Sequence, residues 1–211
     1  MTRSNDVLRG PVALVLNDMI NANLRTPEDP TRTAQIAASG IIANSVRCVD
    51  AARGAGMQVV WIQVQRRVDR ADMVDTLTDL QPRRAHGPRP PVLAGSREGA
   101  NVDELLVSDE DHVVFKPRMD PFIGTELDIQ LRSRGIRTLL FGGYATNGGV
   151  ESGVRTAHDL NYDVVVVSDC CYNVEEDAHE FALTRVLPFY SRVRSLDQVL
   201  HLLAAVTSVP S

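Results

Sequence analysis

An α/β fold, wound on both faces of a mainly parallel six-stranded sheet, is what this 211-residue sequence predicts. Three observations point there. Short apolar runs alternate with longer amphipathic ones, the rhythm of strand-helix-strand units joined by right-handed crossovers. Runs such as Val164-Val-Val-Val167 are too apolar to alternate, as strands covered on both faces are. Glycines stand where the helical patterns should stop.

The strands read as Val12–Leu16, Gln58–Val64, His112–Phe115, Arg137–Phe141, Asp163–Val167 and Ser191–Val193. Helical patterns fill Thr31–Arg53, Thr125–Arg134, Gly148–Leu160, Ala178–Leu187 and Leu196–Ala205, with Gly54, Gly56 and Gly135 as the expected left-handed caps. One segment, about residues 66–100, breaks the rhythm. It contains PRRAHGPRPP (82–91) and a short helical pattern near Ala71–Leu80. Long irregular segments of this kind serve either as lids over a site or as surface and oligomer-contact loops. No repeat or low-complexity tract divides the chain, and residues 1–211 read as one domain.

Composition narrows the function. A hydrophobic share of 44% is ample for a core, and a net charge of −5 argues against nucleic acid or an anionic membrane as the main partner. The start of the chain is polar, and the apolar run after it, Val12–Leu16, is far too short for a signal sequence or a membrane span. Cys48, Cys170 and Cys171 are odd in number and lack CxxC spacing, so a disulfide framework is not expected and the last two read as packing residues. The expected location is the cytoplasm.

In an open parallel sheet, ligands sit beyond the carboxyl ends of the strands. Three polar features map to that edge. Asp18 ends the first strand in ALVLND, Lys116 ends the third in HVVFK, and the turn FGGYATNGG ends the fourth. A carboxylate and an ammonium on one rim form either a simple salt bridge or a reactive pair. Arg66, Arg67 and Arg70 follow the second strand and Arg118 follows the third; each is a candidate anchor for a substrate carboxylate, or simply a solvated charge.

The order ALVLNDMINA, then VVFKPRMDPFIGTELDIQL, then FGGYATNGGVES resembles the isochorismatase-like hydrolase superfamily over nearly the whole chain. That resemblance implies a Rossmann-like three-layer α/β/α sandwich, frequently a homo-oligomer (dimer or tetramer), and a cis peptide at Tyr144-Ala145. It also implies that Asp18, Lys116 and the position of Gly149 form the catalytic set. Substrate would lie against Gln65, Phe122 and the turn residues Tyr144, Ala145, Thr146, Asn147 and Gly148, with Arg66 or Arg118 near its charge.

One departure decides the chemistry. Amidohydrolases of the superfamily carry a nucleophilic cysteine where this chain has Gly149, and glycine supplies no thiolate. Isochorismatases resemble this chain in placing glycine there. Their reaction, hydrolysis of a vinyl ether, needs an acid to protonate carbon and a water to capture the cation. Asp18 would be that acid, Lys116 would hold a substrate carboxylate or position Asp18, and backbone N–H groups near Gly148-Gly149 would stabilise charge or orient water. The turn reads Tyr-Ala-Thr-Asn, the amidase style, so an amidase with its cysteine replaced stays open. So does a catalytically silent binding or oligomeric scaffold.

No metal or cofactor is expected. The stretch matching the zinc cluster of nicotinamidases contains Asp69, Asp72 and Asp75 but no histidine, and the five histidines (86, 112, 158, 179 and 201) are dispersed. The Gly-rich turn has neither dinucleotide nor P-loop spacing.

Overall fold

A computed structural model of the chain describes residues 7–73 and 91–207. The six expected strands form one sheet: β1 (Val12–Asn17), β2 (Gln58–Val64), β3 (His112–Lys116), β4 (Thr138–Tyr144), β5 (Asp163–Tyr172) and β6 (Arg192–Arg194). Their order is β3-β2-β1-β4-β5-β6, and all five neighbouring pairs are parallel. Strand order reverses between β1 and β4, which is where such sheets open a crevice.

Side chains of each strand alternate between two cores, so the sheet is the middle of three layers. On β1, Leu14 and Leu16 join one core with Ile41, Cys48 and Val49 of α3 (Ile41–Gly54) and Leu196, Val199 and Leu203 of α7 (Leu196–Thr207). Ala13 and Val15 point the other way, to Leu127 and Leu131 of α4 (Leu127–Ser133) and Val154 and Ala157 of α5 (Glu151–Asp159). The α/β/α sandwich is therefore built by strands that are apolar on both faces.

Several boundaries differ from the sequence reading. The expected helix over 31–53 is two, α2 (Pro30–Ser39) and α3, because Gly40 takes φ +67 and turns the chain between them. Asp29 caps α2 by accepting from the Arg32 N–H, with Pro30 at the first helical position. A further short helix, α1 (Asn21–Leu24), precedes it. Gly54 is the last helical residue of α3 rather than its left-handed cap; Gly56 and Gly135 do have positive φ. The helix expected over 178–187 begins two residues earlier as α6 (Glu176–Phe181) and ends in a wide turn over Ala182–Val186. From the irregular excursion, a single helical turn at Arg97–Gly99 and a bridge of Arg66 with Leu93 are described. Most of the helix expected near Ala71–Leu80, and all but the last residue of the 82–91 loop, lie outside the described residues. No described helix is long and apolar enough to cross a membrane.

Gly143, on β4 beside the strand-order reversal, is required by close approach. A Cβ there would collide with the Asn17 carbonyl oxygen on β1, and its φ of +126 disfavours any side chain. Gly143→Ala is expected to cost about 3 kcal/mol or more. Urea denaturation of the variant checks this; a loss under about 1 kcal/mol would show that the two strands can part there.

Candidate active site

The carboxyl ends of β1, β2, β3 and β4 bring the site together. Asp18 follows β1 in a left-handed conformation, φ +52, which aspartate tolerates better than most residues. Its backbone is held from both sides: the Asp18 N–H donates to the Ile62 carbonyl, and Asn23 Nδ2 donates to the Asp18 carbonyl. This turn aims the carboxylate across the end of β2, where Oδ1 accepts the Val64 N–H at 2.7 Å. Oδ2 accepts from Lys116 Nζ at 2.8 Å and from Asn17 Nδ2 at 3.1 Å.

Lys116 is 1% exposed. Its ammonium has three hydrogens and three acceptors: Asp18 Oδ2, Asn17 Oδ1 at 3.0 Å and the Met119 carbonyl at 2.8 Å. No N–H is left over for a substrate carboxylate. Of the two roles expected for Lys116, the geometry favours the one in which it positions Asp18. Burial is the largest influence on the Asp18 carboxyl and raises it above the usual carboxylate value; Lys116 and the hydrogen-bond donors pull against that without reversing it.

The Gly-rich turn runs from the cis peptide Tyr144-Ala145 into a wide turn over Thr146–Val150 and then α5. The Ala145 carbonyl accepts both the Gly148 N–H at 3.0 Å and the Val150 N–H at 3.2 Å. Gly148 therefore spends its N–H inside the turn, which weighs against the charge-stabilising role expected of it. Thr146 is buried and its Oγ1 meets His179 Nδ1 of α6 at 2.7 Å; burial pushes that imidazole below its ordinary value. Asn147 is exposed. The Tyr144 ring lies in the core over the Arg32 guanidinium, whose Nη2 donates to the tyrosine oxygen. Gly149 is buried at the centre: a Cβ there would press on Asn17 Nδ2 and lie 2.8 Å from Lys116 Nζ.

The remaining expected residues scatter around this centre. Gln65 turns its amide towards Gln63, with its backbone N–H on the Lys116 carbonyl. Arg66 is partly buried, and its Nη1 is buried with no hydrogen-bond partner among the described residues. Arg67 pairs with Asp69 at the surface, and Arg70 is exposed. Arg118 Nη1 donates to the carbonyls of Asp72 and Pro117. Phe122 packs in the second core against Tyr162. Cys170 and Cys171 are buried free thiols, one in each core; Cys48 beside Cys170 and burial around Cys171 keep both above the ordinary thiol value, Cys171 at about 12. Among the described residues, no group of three or more His, Cys, Asp or Glu side chains could hold a metal ion. A cleft of about 1730 Å³ lies beside α1, α2 and α3, but Asp18, Lys116 and Gly149 do not line it. In an open parallel sheet ligands sit beyond the carboxyl ends of the strands, so the charged strand ends, rather than this cleft, are the candidate site.

Sequence reading missed Asn17 and His179. The signal for Asn17 was available: a polar residue at the end of a buried strand, immediately before the aspartate. His179 lies 33 residues from Thr146 on a separate helix, and no local pattern links them.

An open parallel sheet with a buried acid-lysine pair at its strand-order reversal, beside a Gly-rich turn, defines an α/β protein with an enzyme-like site. The chain belongs to the isochorismatase family of hydrolases: the isochorismatase domain matches residues 12–198. The ureidoacrylate amidohydrolase RutB of Stutzerimonas stutzeri is 34% identical over 183 residues, 80% of this chain and 72% of that protein. The isochorismatase family protein YwoC of Bacillus subtilis is 32% identical over 160 residues, 76% of this chain and 82% of its own length. An isochorismatase family structure from Burkholderia thailandensis superposes with a TM-score of 0.81 at 34% identity, covering 94% of this chain and 98% of that one.

Proposed function

We propose that this chain hydrolyses a small polar metabolite by acid and water chemistry, with Asp18 as the acid and no protein nucleophile. A vinyl ether of the isochorismate type is the substrate class that fits best. The observation that carries this reading is the buried Asp18–Lys116 pair, its carboxyl pushed upward, beside a position 149 that holds no side chain.

The reaction balances with one water. Protonated Asp18 gives its proton to the terminal vinyl carbon; the C=C electron pair forms the new C–H bond and leaves an oxocarbenium ion. Water adds to the cationic carbon and returns a proton to Asp18. The hemiketal then breaks its C–O bond, the hydroxyl proton passes to the departing oxygen, and an alcohol and a keto acid leave. Lys116 neutralises the Asp18 carboxylate formed in the first step, which a low-dielectric site would otherwise disfavour. Arg66 is the favoured anchor for a substrate carboxylate, because its Nη1 is buried without a partner among the described residues and two parallel N–H groups match that ligand.

Amide hydrolysis with Asp18 as a base is the second reading, favoured by the Thr146-Asn147 turn and the 34% identity to an amidohydrolase. The two differ in sign with pH. An acid must be protonated, so turnover should be highest at low pH and fall about tenfold per unit above the Asp18 pKa. A base must be ionised, so turnover should rise through the same value. A panel of vinyl ethers including isochorismate, with ureido and carbamoyl amides alongside, assayed from pH 4.5 to 8.5, separates them. Turnover that rises with pH sinks the acid mechanism. No turnover on the whole panel at micromolar enzyme supports a binding or oligomeric scaffold instead.

A further inference from the structure

We propose that Asn17 is the positioning residue of this site, and that it and Gly149 form a matched pair. Asn17 is fully buried. Its carboxamide lies where any side chain on residue 149 would have to go. The orientation of that amide is fixed by its partners. Oδ1 faces the Lys116 ammonium, which can only donate, and Nδ2 faces the Tyr144 carbonyl at 2.7 Å and the Asp18 carboxylate, which accept. A flipped amide would set donor against donor and acceptor against acceptor. Asn17 thus joins the lysine, the acid and the carbonyl that opens the Gly-rich turn, three groups from three different strand ends.

Two consequences follow from the packing. A Cβ at 149 is blocked by the tips of Asn17 and Lys116, and neither tip can swing away cheaply. Asn17 Nδ2 holds two acceptors and Lys116 Nζ three, and both side chains are buried. The same amide also acts on Asp18: its N–H stabilises the ionised carboxylate and so limits how far burial raises the carboxyl. Asn17 therefore keeps the site without a nucleophile and tunes the group that remains. The tuning half of this inference rests on reading Asp18 as the reacting group; the packing half does not.

A double-mutant cycle on the full chain tests it without any substrate. Gly149→Ala alone is expected to lower the melting midpoint by more than about 5 °C. Combined with Asn17→Ala, the protein should melt above the level that the two single losses sum to, because the truncated side chain makes room for the new methyl. Gly149→Cys should react with iodoacetamide at least tenfold faster on the Asn17→Ala background than alone. Additive melting losses, or equal labelling rates, overturn the pairing. For the tuning role, the ¹³C-carboxylate signal of Asp18 should titrate at higher pH in Asn17→Ala than in the parent; an unchanged titration overturns that role. If Asn17→Ala does not fold, Asn17→Ser takes its place in each arm. These results stand apart from the turnover panel, so failure there leaves this cycle readable.

Discussion

Replacing Asp18 with asparagine is expected to reduce kcat by about 10²- to 10⁴-fold, the range that a positioned proton donor supplies. The substitution preserves the outline of the side chain and removes its proton. It also disturbs the hydrogen bonding around it. In the parent, both carboxylate oxygens accept: Oδ1 from the Val64 N–H, Oδ2 from Lys116 and Asn17. An amide has one oxygen and one NH₂, so one side must face a donor with a donor. If the oxygen keeps Lys116, the NH₂ meets the Val64 N–H; if it keeps Val64, the NH₂ meets the ammonium. Some loss of stability accompanies the loss of activity. The two effects separate by assaying kcat and KM well below the variant's melting midpoint, where circular dichroism shows it folded. A folded Asp18→Asn protein within tenfold of the parent in kcat would remove Asp18 from the chemistry.

How far such a site can be read from sequence depends on where its residues sit in the chain. The placing of Asp18 and Lys116 on one rim was legible because each stands at the end of a buried strand, and ligands of a parallel sheet sit beyond those carboxyl ends. The Gly-rich turn was legible from its own composition. What those residues do with one another was not. That Lys116 has no N–H to spare depends on the Met119 carbonyl and the Asn17 amide; Asn17 stands 99 residues away along the chain. That Gly148 turns its N–H back to Ala145 follows from the shape of the turn, which the letters alone do not give. The same limit applies to the fold. The parallel sheet and the two-faced cores follow from strand-helix alternation, while the strand order is read from the structure. The break at Gly40 and the extension of β5 to Tyr172 do not: a glycine in an otherwise helical stretch is tolerated often enough, and β5 shifts register before rejoining β4 at Cys171.

The family places this chain among hydrolases, and the residues around position 149 bear on the kind of hydrolysis proposed for the site. A nucleophile at 149 would need space that the Asn17 amide fills, and Cys170 and Cys171 are sealed in the cores with thiols held neutral. The groups left at the centre are a carboxyl and an ammonium. In the proposed reaction water is therefore the attacking atom, and the acid–base state of Asp18 sets when it can attack. The pH sign of turnover is for this reason the most informative single measurement on the enzyme.

Lys116→Met should be among the most damaging substitutions to stability, and its cost should depend on pH. Methionine fills a similar volume but leaves the Met119 carbonyl and Asn17 Oδ1 without the donor they share, in a site where Lys116 is 1% exposed. It also leaves Asp18 without its counter-charge. Removing one partner of a buried pair typically costs about 3–5 kcal/mol, because the other charge stays buried and uncompensated. Asp18 can escape that cost by taking up a proton. Its carboxyl already lies above the ordinary 3.8 when folded, and loss of the lysine moves it further up. Between 3.8 and that raised value, the folded variant holds a proton that the unfolded chain has released, so stability falls as pH rises across this window and levels off above it. The parent follows the same sign over a narrower window, because Lys116 opposes the shift. The deficit of the variant should therefore be smallest near pH 4.5 and largest at pH 8. Urea denaturation of both proteins at pH 4.5, 6 and 8 measures it directly. A deficit under about 1 kcal/mol at pH 8, or one that does not change with pH, would mean that Asp18 and Lys116 do not act as a buried ion pair, and the mechanism built on them would fail with it.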